Sequence, residues 1–257
     1  ERTGKNLDLR TIGVTKLGRV VPVDLDSKGE NRIGIGFSVL VAKVVPDPKP
    51  GTDEISHAAG DSWIGETGYL RPDGTRQLAR AFIGKLAGGK EEVFVVDIPD
   101  DITIPGPDGP LEGTRTSFPM PPRGTVQRRL THSESGCKGN VRSNREGSRL
   151  SFLSQDKNGT WQIFLMSPLG GKMIQATHFP NGAQTEARWS PNGKFIVCAA
   201  ENRLYLTNVE EGTPDFGKSF PITKKYPTTP ANIVWSHRGD VIAFNLPLDK
   251  QLQIFIA

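Results

Sequence analysis

Three stretches of this chain lie over one another at a step of 46 residues. They are "RRLTHSESGCKGNVRSNREGSRLSF" from Arg128, "IQATHFPNGAQTEARWSPNGKFIVC" from Ile174 and "FPITKKYPTTPANIVWSHRGDVIAF" from Phe220. Three columns hold at once: Thr131, Thr177 and Thr223; Gly147, Gly193 and Gly239; Leu150, Ile196 and Ile242. A period of this size in strand-forming sequence predicts a β-propeller, in which each repeat is one four-stranded antiparallel blade. The expected fold class is therefore all-β, with about four to five blades or partial blades present.

One blade reads directly from residues 173 to 218. "EARW" is short and should be the inner strand beside the central channel. "SPNG" turns it, because Pro191 presets φ and Asn192-Gly193 tolerates left-handed backbone. "KFIVCAA" returns as the second strand, "EN" reverses it, "RLYLTNV" is the third strand and the following "FPIT" the outermost. The preceding repeat pairs "RLSFLS" with "WQIFLMS" through Asn158-Gly159, a hairpin signal. The last pairs "VIAFNL" with "LQIFIA" around Asp249-Lys250. Gly147, Gly193 and Gly239 are thus turn glycines, and Trp189 and Trp235 read as packing between blades rather than as ligand-stacking surfaces.

Upstream, Pro72-Asp73-Gly74 marks a similar turn, "ARAFIGKLAGGKEEVFVVDI" reads as a hairpin with Gly88-Gly89 at its tip, and "IGFSVLVAKVV" reads as a strand. The chain is taken as a single domain over 1–257. Its repeats span about 127–172, 173–218 and 219–257, with a polar insertion loop at 46–69 and a proline-rich insertion at 99–125. "NLDLRTIGVTK" is a candidate to pair onto the last blade and remove an exposed edge.

Composition agrees: Gly and Pro are frequent, at 29 and 20 of 257 residues, which favours many short strands joined by turns. The net charge of +4 is mild, and no basic stripe with interleaved aromatics appears, so no nucleic-acid partner is expected. No run reaches the roughly 18 apolar residues of a membrane helix. Cys198 lies in the apolar run "FIVCAA" and reads as a buried hydrophobe, Cys137 lies in a polar loop, and two cysteines do not decide the redox compartment. No positively charged segment followed by an apolar core opens the chain, so a signal peptide has been removed or the chain is a piece of a longer one. The bacterial periplasm is the favoured compartment, with the cytoplasm open.

The unit "LTH…WSPNGKFIV…RLYLTNVEEG" resembles the repeat of TolB-type propellers, most clearly over residues 127 to 257. "SNREG" and "WSHRG" lack its turn proline and keep its glycine. A resemblance over most of the chain is to the uncharacterised YidR-like group of TolB-like propellers, carried by "PGTDEISHAAGDSWIGETGYLRPDGTRQLARAFIG", "EVFVVDIPDDIT" and "PPRGTVQRRLTH". Those proteins are longer at the N-terminus, which implies that this chain is the C-terminal part of a propeller. The group offers no activity to carry over.

No dinucleotide loop, phosphate loop, HExxH or nucleophile elbow is present. His132 and His178 share one repeat column, which Lys224 occupies in the third repeat. The column follows the outer strand, on the loop leading inward, so a polar funnel of His132, His178 and Lys224 is one expectation. His57 and Trp63 from the insertion could join it, while His237 replaces the turn proline and is expected to face away. TolB-like propellers include oligogalacturonate lyases with a His-rich metal site, which makes a divalent metal at His132 and His178 the alternative. The simpler reading is that "LTH" begins a loop and needs no metal. The expected function is a non-enzymatic binding or scaffold module without a cofactor, its loop-rich face contacting a protein, peptide or glycan. The alternative is a polysaccharide lyase.

Overall fold

A computed structural model describes residues 10–22, 33–113, 117–248 and 251–257. The chain is all-β. A first pair joins β1 (Gly13–Pro22) and β2 (Ile33–Leu40). The next sheet orders β3 (Ile55–Trp63), β6 (Ala79–Leu86), β7 (Glu91–Asp97) and β8 (Val126–Arg129), and a short hairpin of β4 (Tyr69–Leu70) and β5 (Arg76–Gln77) sits between β3 and β6. Two further four-stranded sheets follow in chain order. One holds β9 (Cys137–Ser143), β10 (Leu150–Gln155), β11 (Trp161–Met166) and β12 (Ile174–Gln175). The other holds β13 (Arg188–Trp189), β14 (Phe195–Ala200), β15 (Arg203–Asn208) and β16 (Ser219–Pro221). β17 (Ala231–Trp235), β18 (Ile242–Leu248) and β19 (Gln251–Ile256) form the last. We call the four larger sheets blades A to D. All pairings are antiparallel, and the inner strands β3, β9, β13 and β17 contact one another in succession, as radial blades require.

The blades stack face to face, and this explains the apolar runs. In "FIVCAA", Ile196, Cys198 and Ala200 face blade B with Leu153, Ile163 and Leu165, while Val197 and Ala199 face blade D with Ile233, Ile242 and Phe244. A strand buried on both faces has no polar alternation to show. Blade A does the same: Phe82, Phe94 and Val96 pack on Val14, Val39 and Val41, whereas Ala81, Ile83, Val93 and Val95 pack on Val141, Leu150 and Phe152. Burying a side chain such as Phe152 contributes about 2–3 kcal/mol.

The repeat glycines occupy matching corners between inner and second strands. Gly147, Gly193 and Gly239 have φ of 75°, 69° and 78°, and their N–H groups donate to Asn144 O, Ser190 O and Ser236 O at 3.1, 2.9 and 3.0 Å. The corners nest. A Cβ built on Gly239 would lie 3.3 Å from Pro191, one on Gly193 would lie 3.8 Å from Asn144, and one on Gly147 would overlap the Gly68 carbonyl. The threonine column is equally structural: Thr131, Thr177 and Thr223 hydroxyls accept the backbone N–H of Val93, Ile163 and Leu204 at 2.9, 2.9 and 3.0 Å. Glu201 and Asn202, both at positive φ, make the turn between β14 and β15.

Three expectations are corrected. Residues 46–69 are not simply a loop, because Ile55–Trp63 is blade A's inner strand. Two register shifts in its pairing with β6 erase the two-residue period that would have revealed it. Cys137 begins β9 and is buried, not in a polar loop, and both cysteines are free thiols. Residues 13–16 pair with β2, not with the last blade; residues 6–9 of that candidate segment, and the Asp249-Lys250 turn, lie outside the described residues. The described part of 99–125 is ordered, with Ile102 buried against blade A and a bridge between Pro105 and Pro122.

Candidate functional site at the channel mouth

Each inner strand has two ends, and they open on different faces. The "LTH" loops enter at the start of β9 and β13, and the glycine corners leave at the end. His132 and His178 are exposed on the first face, as is Lys224. Among the described residues no hydrogen bond or ion pair joins these three, and no set of three His, Cys, Asp or Glu side chains gathers as a metal ligand group. Gln175 Nε2 lies within hydrogen-bond distance of His178 Nδ1, at 2.9 Å. His178 lines a cavity of about 630 Å³ with Asp156, Gln162, Phe164 and Gln175. His57 is half-buried within β3 opposite Lys85. Trp63 ends β3 with 47% of its surface exposed and carries the Arg80 guanidinium 5.0 Å above its ring; Arg80 also pairs with Asp61.

The other end holds an arrangement that no sequence motif marks. A cavity of about 350 Å³ is walled by three successive blades: Arg142 and Ser143 from B, Arg188, Trp189 and Ser190 from C, Val234, Trp235 and Ser236 from D. Arg142, Arg188 and Val234 form one repeat column, and Ser143, Trp189 and Trp235 the next. His237, expected to face away, lines the cavity instead. The turn that brings it there is held by Ser236, whose Oγ accepts from Gly239 N and Val241 N and donates to Asp240 at 2.7 Å.

The two indoles are fixed across blade boundaries. Trp189 Nε1 donates to Arg142 O at 3.3 Å and Trp235 Nε1 to Arg188 O at 3.2 Å, which bears out the expectation that both tryptophans pack between blades. Blade B has Ser143 at this position instead of a tryptophan, and its boundary with blade A uses hydroxyls: Ser62 Oγ donates to Val141 O at 2.7 Å, and Ser143 Oγ accepts from Gly65 N at 3.0 Å. Deeper in, Asn140 Nδ2 reaches Glu186 Oε1 at 2.6 Å. At the rim, Arg145 Nε pairs with Glu66 at 3.0 Å.

The electrostatics are cationic. Arg142 Nε is buried without a hydrogen-bond partner, and among the described residues neither Arg142 nor Arg188 forms a side-chain hydrogen bond or ion pair. Burial, and then the like charge of Arg188, hold the Arg142 guanidinium below its ordinary pKa. The repeat alignment already contained this pair as a column; what it lacked was any sign that the column faces open space.

No family model matches the chain. It is 33% identical over 254 residues to the uncharacterized protein YidR of Escherichia coli K12, across 93% of this chain and 57% of that protein. The chain therefore spans little more than half the length of that relative. Among solved structures it is similar to TolB from Acinetobacter baumannii, at 17% identity and a TM-score of 0.47 over 74% of this chain and 39% of that one. It is also similar to an oligogalacturonate lyase in complex with manganese, at 16% identity and a TM-score of 0.42 over 70% and 54%.

Proposed function

We propose that this YidR-like chain is a non-enzymatic binding module that takes a protein, peptide or glycan ligand at the channel mouth on the face of the glycine corners. The observation that carries the reading is the cavity walled by equivalent positions of blades B, C and D. A concave site on a rigid scaffold suits recognition. Its hydroxyls are tied into the corners rather than held as nucleophiles: Ser190 Oγ donates to Asn192 Oδ1 at 2.7 Å, and Ser236 Oγ to Asp240. On this reading the ligand lies at the opposite end of the inner strands from His132 and His178.

Site-specific photo-crosslinking separates the two faces. A photoreactive residue at His237 is expected to capture a ligand from cells of the source organism, and one at His132 is not. Capture at 132 alone, or at neither position, would overturn the reading.

A further inference from the structure

We infer that the channel-mouth cavity recognises an oxyanion, a carboxylate or phosphate group of its ligand, held between the guanidinium groups of Arg142 and Arg188. The inference rests on the binding reading above and narrows it to one ligand chemistry.

Four observations converge. First, neighbouring blades present arginine from the same repeat position to one cavity. Second, neither guanidinium has a partner among the described residues, and Arg142 Nε is buried and unsatisfied. A buried donor without an acceptor is costly, and an oxyanion supplies both the acceptor and the countercharge. Third, the nearby carboxylates act on Arg142 only through their charge and bond elsewhere: Asp61 pairs with Arg80, and Glu186 accepts from Asn140 at 2.6 Å. Fourth, the neutral hydrogen-bonding groups of the walls are engaged too, both indole N–H groups with carbonyls and both corner serines within their turns. What the cavity has left to offer is charge in the planar fork geometry that matches carboxylate and phosphate. Val234 stands in the third blade's place, so the cationic part lies between blades B and C and an apolar wall closes it toward D. Glu66 on Arg145 shows a carboxylate already seated at the rim.

The test is titration of the whole chain, followed through the Nε–Hε signals of its arginines in 15N-resolved spectra. The probes are inorganic phosphate, the capped dipeptide Glu-Glu and, as control, capped Gln-Gln. The expected result is saturable shifts at Arg142 and Arg188 with phosphate or Glu-Glu and none with Gln-Gln. Binding should weaken at least tenfold in Arg142→Gln and Arg188→Gln, in part only in the lysine variants, and fall as salt rises. Preference between the two anions names the source. Shifts that do not saturate, survive both glutamine variants or appear equally with Gln-Gln would overturn the inference. Circular dichroism checks that each variant folds, and the lysine variants replace any glutamine variant that does not. Crosslinking at position 237 that persists in folded Arg142→Gln and Arg188→Gln would leave the binding reading standing and remove the oxyanion.

Discussion

Cys137 illustrates how a single side chain is governed by what surrounds it. Its thiol lies 3.5 Å from Thr131 Oγ1 and 3.7 Å from a Glu92 carboxylate oxygen, in a cluster that also ties Ser133 and Arg129 to the fully buried Glu92. Burial, opposed by the Thr131 hydroxyl and aided by the Glu92 charge, pushes the thiol up from 9.0 to about 11. Burial alone pushes Cys198 up to about 12. The folded chain therefore keeps protons that the unfolded chain releases above pH 9.0. Stability from this source is complete below that pH and is lost as pH rises through the folded values, by at most roughly 1.4 kcal/mol per pH unit per thiol. Urea midpoints from pH 8 to 11 should fall for the native chain and fall less steeply for Cys137→Ala; parallel curves would contradict the assignment. The histidine beside each buried threonine carries the opposite lesson. Thr131 and Thr177 recur because a strand N–H needs their hydroxyls, whereas His132 and His178 point outward.

The corner turn is the element on which the blades depend. All three repeat glycines hold left-handed backbone, where a Cβ costs about 1–2 kcal/mol. The surroundings then separate them. At Gly193 the nearest atom to an added Cβ is 3.8 Å away, while at Gly147 the Gly68 carbonyl occupies its place. That crowding comes from the segment between β3 and β6, which is clamped onto blade B by Gly65 N to Ser143 Oγ at 3.0 Å and Glu66 N to Arg145 O at 2.9 Å. Gly193→Ala should destabilise by about the backbone cost alone, and Gly147→Ala by clearly more. Chemical denaturation of the two variants checks the order, and equal losses would mean that the clamp is slack. β3 shows why elements escape sequence reading: its bulges break the alternation, and Gly60 sits hard against the Gly139 carbonyl of the next inner strand.

Across the whole molecule, protection follows how many faces of a sheet are covered. Blades A, B and C are packed on both sides. By contrast Leu17 and Ile35 on the first pair, and Ile254 and Ile256 on β19, are 74–77% exposed. In a radial stack each sheet is stabilised mainly by its neighbours. Amide exchange should therefore be slowest in β6, β7, β10, β11, β14 and β15 and fastest in β1, β2 and β19, as read by exchange mass spectrometry. Uniform protection would argue that the sheets open as one unit rather than by local coverage.

The sequence by itself determined the unit of the fold. A 46-residue step in Thr, Gly and apolar positions is legible because every blade must reverse its inner strand at a left-handed corner and anchor its third strand on a hydroxyl. Those are local backbone demands, and they leave a residue at a fixed offset. The site was only half legible. Arg142 and Arg188 were visible as a repeat column, but a column of arginines on exposed strands and one lining a cavity look the same in one dimension. Only the tertiary structure, by bringing three blades to one mouth and engaging the indoles, serines and nearby carboxylates with other partners, decided that these two cations were left facing open space.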